Sequence, residues 1–224
     1  MNRFIALLLV LVMTSACAGT PTQADIPIQT PPQPVPTTMH DPTSGILQPT
    51  EVVAVSTIPV PEDFFSRMNI TLPAPVCNGL TQPQMEGPYY TPNTPERNSL
   101  LEDEMQGTRL ILVGYVLDQN CNPLANAWLD FWQTDANGEY DNVGYRLRGH
   151  QFTDLQGRYY LETILPGLYL SRPIEHIHVK VKPQGGEDVT SQLYFPDQPV
   201  GGLTITLEER GGHFIGYFNF VVEK

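Results

Sequence analysis

His176-Ile177-His178-Val179-Lys180-Val181-Lys182 alternates with the two-residue period of a β-strand. Ile177, Val179 and Val181 share one face, the core side of a half-buried strand, and His176 and His178 share the other. Two imidazoles side by side form half of a metal site. Just upstream, in Tyr169-Leu170-Ser171-Arg172-Pro173-Ile174-Glu175, stand a phenol and a fixed positive charge. Arg172 disfavours protonated imidazoles nearby, which weighs against a chance cluster. Taken alone, the His-x-His pair is as consistent with a solvated polar face as with a metal site.

Working outward, similar runs recur at short spacing: Arg109 to Leu117, Ala127 to Trp132, Arg158 to Ile164, Ser191 to Phe195, Leu203 to Leu207, and Phe214 to Val222. Turn sequences separate them: Asp118-Gln119-Asn120, Asp135-Ala136-Asn137-Gly138, Asp154-Leu155-Gln156-Gly157 and Pro166-Gly167. After Met105 no stretch carries a helical period, and Ser99 to Gln106 offers one or two helical turns at most. Many short strands with polar turns predict an all-β fold, a sandwich of mainly antiparallel strands with long loops. The folded domain is expected over residues 63–224.

The 62 residues before it have another character. Met1-Asn2-Arg3 is a positive start, Phe4 to Met13 an apolar run too short to span a membrane, and Thr14-Ser15-Ala16-Cys17 a run of small residues ending in cysteine. Residues 1–16 read as a lipoprotein-type signal with Cys17 as the lipidated residue; plain signal cleavage is the alternative. Residues 17–62, rich in Pro and Thr, read as a disordered tether. This places the domain outside the cytoplasm, on a bacterial membrane-anchored lipoprotein or secreted. Cys77 and Cys121 are then two cysteines in an oxidising compartment, either joined as a disulfide or buried as separate thiols. Loss of Arg3 with the signal leaves the mature chain at −13, which argues against a nucleic-acid partner and against electrostatic adhesion to anionic lipid. Any membrane contact is through the anchor.

Of the other candidates, Tyr140 and Tyr169 each follow a turn, where a tyrosine most often packs and sends its hydroxyl to water or backbone. His40 falls in the tether and His213 in a loop, while His150 reads as a surface residue near the mouth of a site. Without a GxSxG, a phosphate-binding glycine loop or a CxxC, serine hydrolysis has no support.

Taken in order, Thr81 to Tyr90, Gly114 to Asp118, Asn126 to Gln133, Gly138-Glu139-Tyr140, Arg148 to Asp154, Thr163 to Tyr169, Arg172 to His178 and Ser191 to Phe195 resemble the intradiol ring-cleavage dioxygenases. The small secreted members of that family fit best. The resemblance implies a β-sandwich and a non-haem iron(III) ion held by Tyr140, Tyr169, His176 and His178. Tyr140 and His176 would be equatorial with a solvent hydroxide, and Tyr169 and His178 axial. It implies an aromatic diol and O2 as reactants, with a catechol bound through both oxygens, opened between its hydroxyls and released as a muconate-type diacid. Arg172 and Gln192 would assist, Arg172 by stabilising negative charge on the substrate. The chain departs from the family in placing three residues, rather than two, between Arg172 and His176. Either a bulge absorbs the extra residue or Arg172 is displaced. The competing function is a non-catalytic β-sandwich that binds a metal or a surface ligand; a structural lipoprotein with an accidental His-x-His comes third.

Overall fold

The computed structural model describes residues 63–169 and 172–224. The signal, Cys17, the tether and His40 lie outside them. Within them stand one short helix, α1 (Phe64–Arg67), and nine strands: β1 (Arg109–Asp118), β2 (Trp128–Trp132), β3 (Arg148–Phe152), β4 (Arg158–Ile164), β5 (His176–Lys182), β6 (Val189–Tyr194), β7 (Thr206–Arg210), β8 (His213–Tyr217) and β9 (Phe220–Val222). They form two sheets, one ordered β4-β1-β8-β7 with β9 also on β1, the other β3-β2-β5-β6. The fold is an all-β sandwich. Its pairs are antiparallel except β1 with β8 and with β9.

Alternation explains the layers. Leu110 and Leu112 of β1 join Leu129 and Phe131 of β2 and Ile177, Val179 and Val181 of β5 in one buried cluster between the sheets. The intervening Ile111 and Val113 face the other way, into a second cluster with Phe65 and Ile70. That cluster is why β1 reads as a continuous apolar run: α1 and the residues after it cover the outer face. α1 starts where the Asp63 carboxylate accepts a hydrogen bond from the Ser66 amide (2.8 Å), an N-cap that four helical residues leave too short to show as a period. The Phe64 ring stacks on Tyr160 at 3.6 Å.

Elsewhere the structure departs from the sequence expectations. The predicted run Phe214 to Val222 is two strands, β8 and β9. Between them the Phe218 amide donates to the Val113 carbonyl (3.0 Å) and the Asn219 side chain accepts from the Tyr115 amide (3.1 Å). Gly114 lies opposite this kink, where any Cβ would overlap the Phe218 carbonyl. The run Leu203 to Leu207 is not one strand: Leu203 and Ile205 bond both sides of Tyr194, and β7 begins only at Thr206. Residues 99–106 contain turns and no helix. β3 is a strand that Arg-Gly-His-Gln-Phe conceals, because it has no apolar alternation.

β5 differs most from expectation. Its first half is buried on both faces, with His176 and His178 5% and 4% exposed, while Lys182 at its far end is exposed. Residues 84–97 form an extended strap across the outer face of the β3-β2-β5-β6 sheet. The strap enters where the Gln84 amide donates to the Thr190 carbonyl of β6, and leaves where the Arg97 amide donates to the His150 carbonyl of β3.

Cys77 and Cys121 are joined by a disulfide across a separation of 44 residues. It ties the chain just before the strap to the β1–β2 turn. Closing a loop of that length restricts the unfolded chain enough that Cys121→Ser is expected to cost about 4 kcal/mol. Urea unfolding of the two proteins, compared at equal slope, measures it.

Candidate metal centre

The outer face of the four-stranded sheet is a grid fixed by register. Trp132 on β2 pairs with Arg148 on β3 and with His178 on β5, and His178 pairs with Gln192 on β6. His176 pairs with Tyr194. Period two brings all six residues to one side of the sheet. The Trp132 and His178 rings stack at 4.7 Å and 8°, so His178 has little rotational freedom.

The two tyrosines reach this face from adjacent loops. Asp135 organises the first, its carboxylate accepting from the amides of Asn137 (2.9 Å) and Glu139 (3.0 Å). The second is laced to it: Gly167 donates from its amide to the Asp135 carbonyl (2.8 Å) and accepts from the Thr134 hydroxyl (2.8 Å). Gly138 has a φ of +81°, and a Cβ there would overlap the Leu168 carbonyl. Only glycine lets the two loops approach this closely. The result puts the Tyr140 and Tyr169 rings edge to face at 5.9 Å.

The heteroatoms converge. His176 Nε2 lies 3.1 Å from His178 Nε2 and 3.4 Å from the Tyr140 hydroxyl. His176 Nδ1 donates to the Ile174 carbonyl (2.7 Å), which leaves a lone pair on Nε2. Burial lowers both imidazole pKa values, that of His178 to about 2, with His176 and Arg172 adding to the effect on His178. Both rings therefore stay neutral. Burial raises the Tyr140 phenol to about 12, against the pull of Arg148 and Arg172. Tyr89 of the strap stacks on Tyr140 at 4.5 Å, and its hydroxyl is hydrogen-bonded to that of Tyr169.

Without a metal the Tyr140 hydroxyl can donate to the His176 Nε2 lone pair, and the two Nε2 atoms lie within hydrogen-bond distance, so the same buried donors are free to turn to a cation instead. Two N or O donors, each about 2.1 Å from a shared ion at right angles, stand about 3 Å apart. The donor set thus fits a metal ion, with Tyr140, His176 and His178 as the nearest group and Tyr169 at its edge.

The Arg172 guanidinium donates to the Tyr194 hydroxyl (2.8 Å), which donates to Gln192 Oε1 (2.8 Å), and Gln192 Nε2 donates to the Met85 carbonyl of the strap (2.6 Å). No bulge interrupts β5, whose register with β6 is continuous from His176 to Val181. Before the strand the Ile174 amide bends back to the Arg172 carbonyl (2.8 Å). Tyr194 is the site residue that sequence reasoning missed. Its signal was the Gln-x-Tyr spacing on the strand after His-x-His, two residues that register places opposite the two histidines.

Residues 85–205 match the family model described as Dioxygenase. The chain belongs to the intradiol ring-cleavage dioxygenase family. Among solved structures, this intradiol dioxygenase chain is 42% identical to the dioxygenase domain of a dioxygenase carbohydrate-binding protein fusion from Streptomyces sp. SirexAA-E, over 65% of the chain and 99% of that domain, at a TM-score of 0.63. It is 31% identical to 3-chlorocatechol 1,2-dioxygenase from Rhodococcus opacus, over 64% of the chain and 72% of that protein, at a TM-score of 0.59. A chlorocatechol 1,2-dioxygenase from Pseudomonas is 28% identical, over 72% of the chain and 77% of that enzyme. Against the Burkholderia cepacia protocatechuate 3,4-dioxygenase beta chain, at 30% identity, the match spans 52% of the relative.

His150 is half-buried rather than fully at the surface. Its Nδ1 donates to the Thr94 carbonyl (2.8 Å), and it sits beside buried Asp130, which accepts from Thr94 (2.8 Å) and Tyr90 (3.1 Å). His213 is the first residue of β8, on the other sheet.

Beyond Tyr140 the Asp141 carboxylate holds a tight turn. Hydrogen bonds from the backbone amides of Gly144, Arg146 and Val143 lower its pKa from 3.8 to about 2. A folded-state pKa below the unfolded one adds stability above pH ~4 that disappears as pH falls toward 2. Urea midpoints at pH 5 and pH 2.5 are expected to differ less in Asp141→Asn than in the parent chain.

Proposed function

We propose that this protein is an iron(III)-dependent intradiol dioxygenase that cleaves catechol-type rings between the two hydroxyls, with O2, to muconate-type diacids. The ion would be held by Tyr140, Tyr169, His176 and His178. The convergence of the Tyr140 oxygen and the two Nε2 atoms on one buried point carries this reading. Phenolate oxygens are hard anionic donors that favour the ferric state, and neutral imidazoles complete a set suited to iron. When bound, ferric iron would draw electron density from a coordinated catecholate and make a ring carbon reactive toward O2.

The chain's own residues have separable tasks. Tyr169, half-buried at the edge of the group, is the donor that an incoming diol would replace, and its oxygen would take one of the diol's protons. The Tyr89 hydroxyl already bonded to it would hold the ring that has moved aside. Arg172, aimed by Tyr194, would face the negative charge that builds up on the opened ring. Gln192, fixed between Tyr194 and the strap, would hold that arginine's support in place. Trp132 and the strap exclude water from the histidine side.

We place the protein outside the cytoplasm, on a lipid anchor at Cys17 or secreted; the disulfide is what such a compartment favours. The test of function is spectroscopic. Purified with ferric iron, the protein is expected to show a visible tyrosinate-to-iron band that shifts when catechol is added without oxygen, and to consume O2 when air is admitted. A colourless protein with one zinc per chain would favour the non-catalytic binding module.

A further inference from the structure

Arg148 is among the largest fully buried side chains, at 1% exposure. Among the described residues its guanidinium has no carboxylate within ion-pair distance. Its partners are carbonyls: Nε and Nη2 donate to the Asp141 oxygen at 3.0 and 2.7 Å, and Nη1 donates to the Tyr89 oxygen at 2.6 Å. Burying a guanidinium with only neutral acceptors costs several kcal/mol, so a purely structural clamp would be served better by an uncharged side chain. Its three bonds reach two meaningful places. Asp141 follows Tyr140 in the chain, and Tyr89 carries the ring stacked on Tyr140. The guanidinium carbon lies 5.9 Å from the Tyr140 ring centre.

We propose that Arg148 is the positioning residue for Tyr140, gripping the backbone beyond that ring and the backbone of the ring stacked on it, so that the phenol oxygen is aimed at His176 and His178. Register supports the role. Arg148 lies in the same row as Trp132 and His178, so one rigid row sets a histidine and a tyrosine against each other. Through Tyr89, whose hydroxyl bonds Tyr169, the same guanidinium also steadies the second loop. Lysine cannot substitute, because a single ammonium does not span two carbonyls with a planar fork.

The metal-binding arm of the test rests on the ferric reading above; a second arm does not. Arg148→Lys, Arg148→Met and the distant control Arg158→Lys are compared with the parent chain. Both Arg148 variants are expected to bind ferric iron about 10-fold more weakly, as is usual for outer partners of metal ligands, and to show a displaced tyrosinate band. In Arg148→Ala, millimolar guanidinium is expected to recover at least half of the lost affinity. Arg158→Lys leaves affinity and band unchanged. In metal-free protein, near-ultraviolet circular dichroism of the stacked tyrosines changes in the Arg148 variants only.

Ferric affinity within twofold of the parent in Arg148→Lys overturns the proposal, as does an equal loss in Arg158→Lys. Should Arg148→Met fail to fold, Arg148→Lys decides alone. If the parent chain takes up no ferric iron, the functional reading falls, and the metal-free dichroism decides whether Arg148 still positions Tyr140.

Discussion

Tyr140→Phe is expected to purify colourless and to hold ferric iron at least about 100-fold more weakly than the parent chain, whereas Tyr89→Phe keeps its colour. A missing ligand costs more than the 10- to 100-fold typical of a missing outer partner. The substitution is mild for the fold, because phenylalanine preserves the 4.5 Å stack on Tyr89 and the edge contact with Tyr169. What it removes is the phenol oxygen 3.4 Å from His176 Nε2. That oxygen is hard to ionise: in the metal-free protein its pKa is about 12 even with Arg148 and Arg172 nearby. Bringing it below 7 takes roughly 7 kcal/mol, at about 1.4 kcal/mol per unit, which a directly bonded cation supplies and a more distant arginine does not. Visible absorption and iron content per chain give the answer. Equal loss in both variants, or none in Tyr140→Phe, would remove Tyr140 from the ligand set.

Gly138→Ala is expected to destabilise the domain by about 4 kcal/mol or more and to abolish the visible band. Two penalties act together. At a φ of +81° a Cβ is strained, by about 1 kcal/mol. The larger penalty is overlap with the Leu168 carbonyl, which is backbone and cannot rotate away. Gly167 meets the same loop from the opposite side, where a Cβ would stand 2.5 Å from the Ala136 oxygen and the Gly138 nitrogen. Relief requires the loops to part, and they carry Tyr140 and Tyr169. By contrast, Gly185→Ala sits at a similar φ with nothing within 4 Å, so its strain acts without a collision and a small loss is expected. Thermal unfolding and iron content of the pair separate strain from collision; a Gly138→Ala protein as stable and coloured as the parent would disprove the loop-contact account.

The His-x-His strand was readable because its period is local: alternation alone sends Ile177, Val179 and Val181 inward and the histidines outward. The sandwich followed from many such runs. The burial of the histidine face was not readable, because the strap that covers it has no period and holds on through single contacts, such as Gln84 to Thr190 and Thr94 to Asp130. β3 stayed hidden for a related reason: it presents Arg148 and His150 outward to buried polar partners, and polar partners leave no hydrophobic signature. The four proposed ligands came from the family resemblance. Their meeting depends on Gly138 and Gly167, whose role is visible only once the carbonyls they admit are in place. Tyr194 needed strand register, which one sequence does not supply.

The strap across the histidines sets a timescale as well as a shape. With both faces of β5 covered, an ion lodged against His178 has no direct exit through the sheet side; it would leave by the Tyr169 edge or wait for the strap to lift. Metal retention would then follow the opening frequency of a peptide segment more than the strength of the coordinate bonds. A chelator added in growing excess would reach a ceiling rate, and that ceiling would report on the latch.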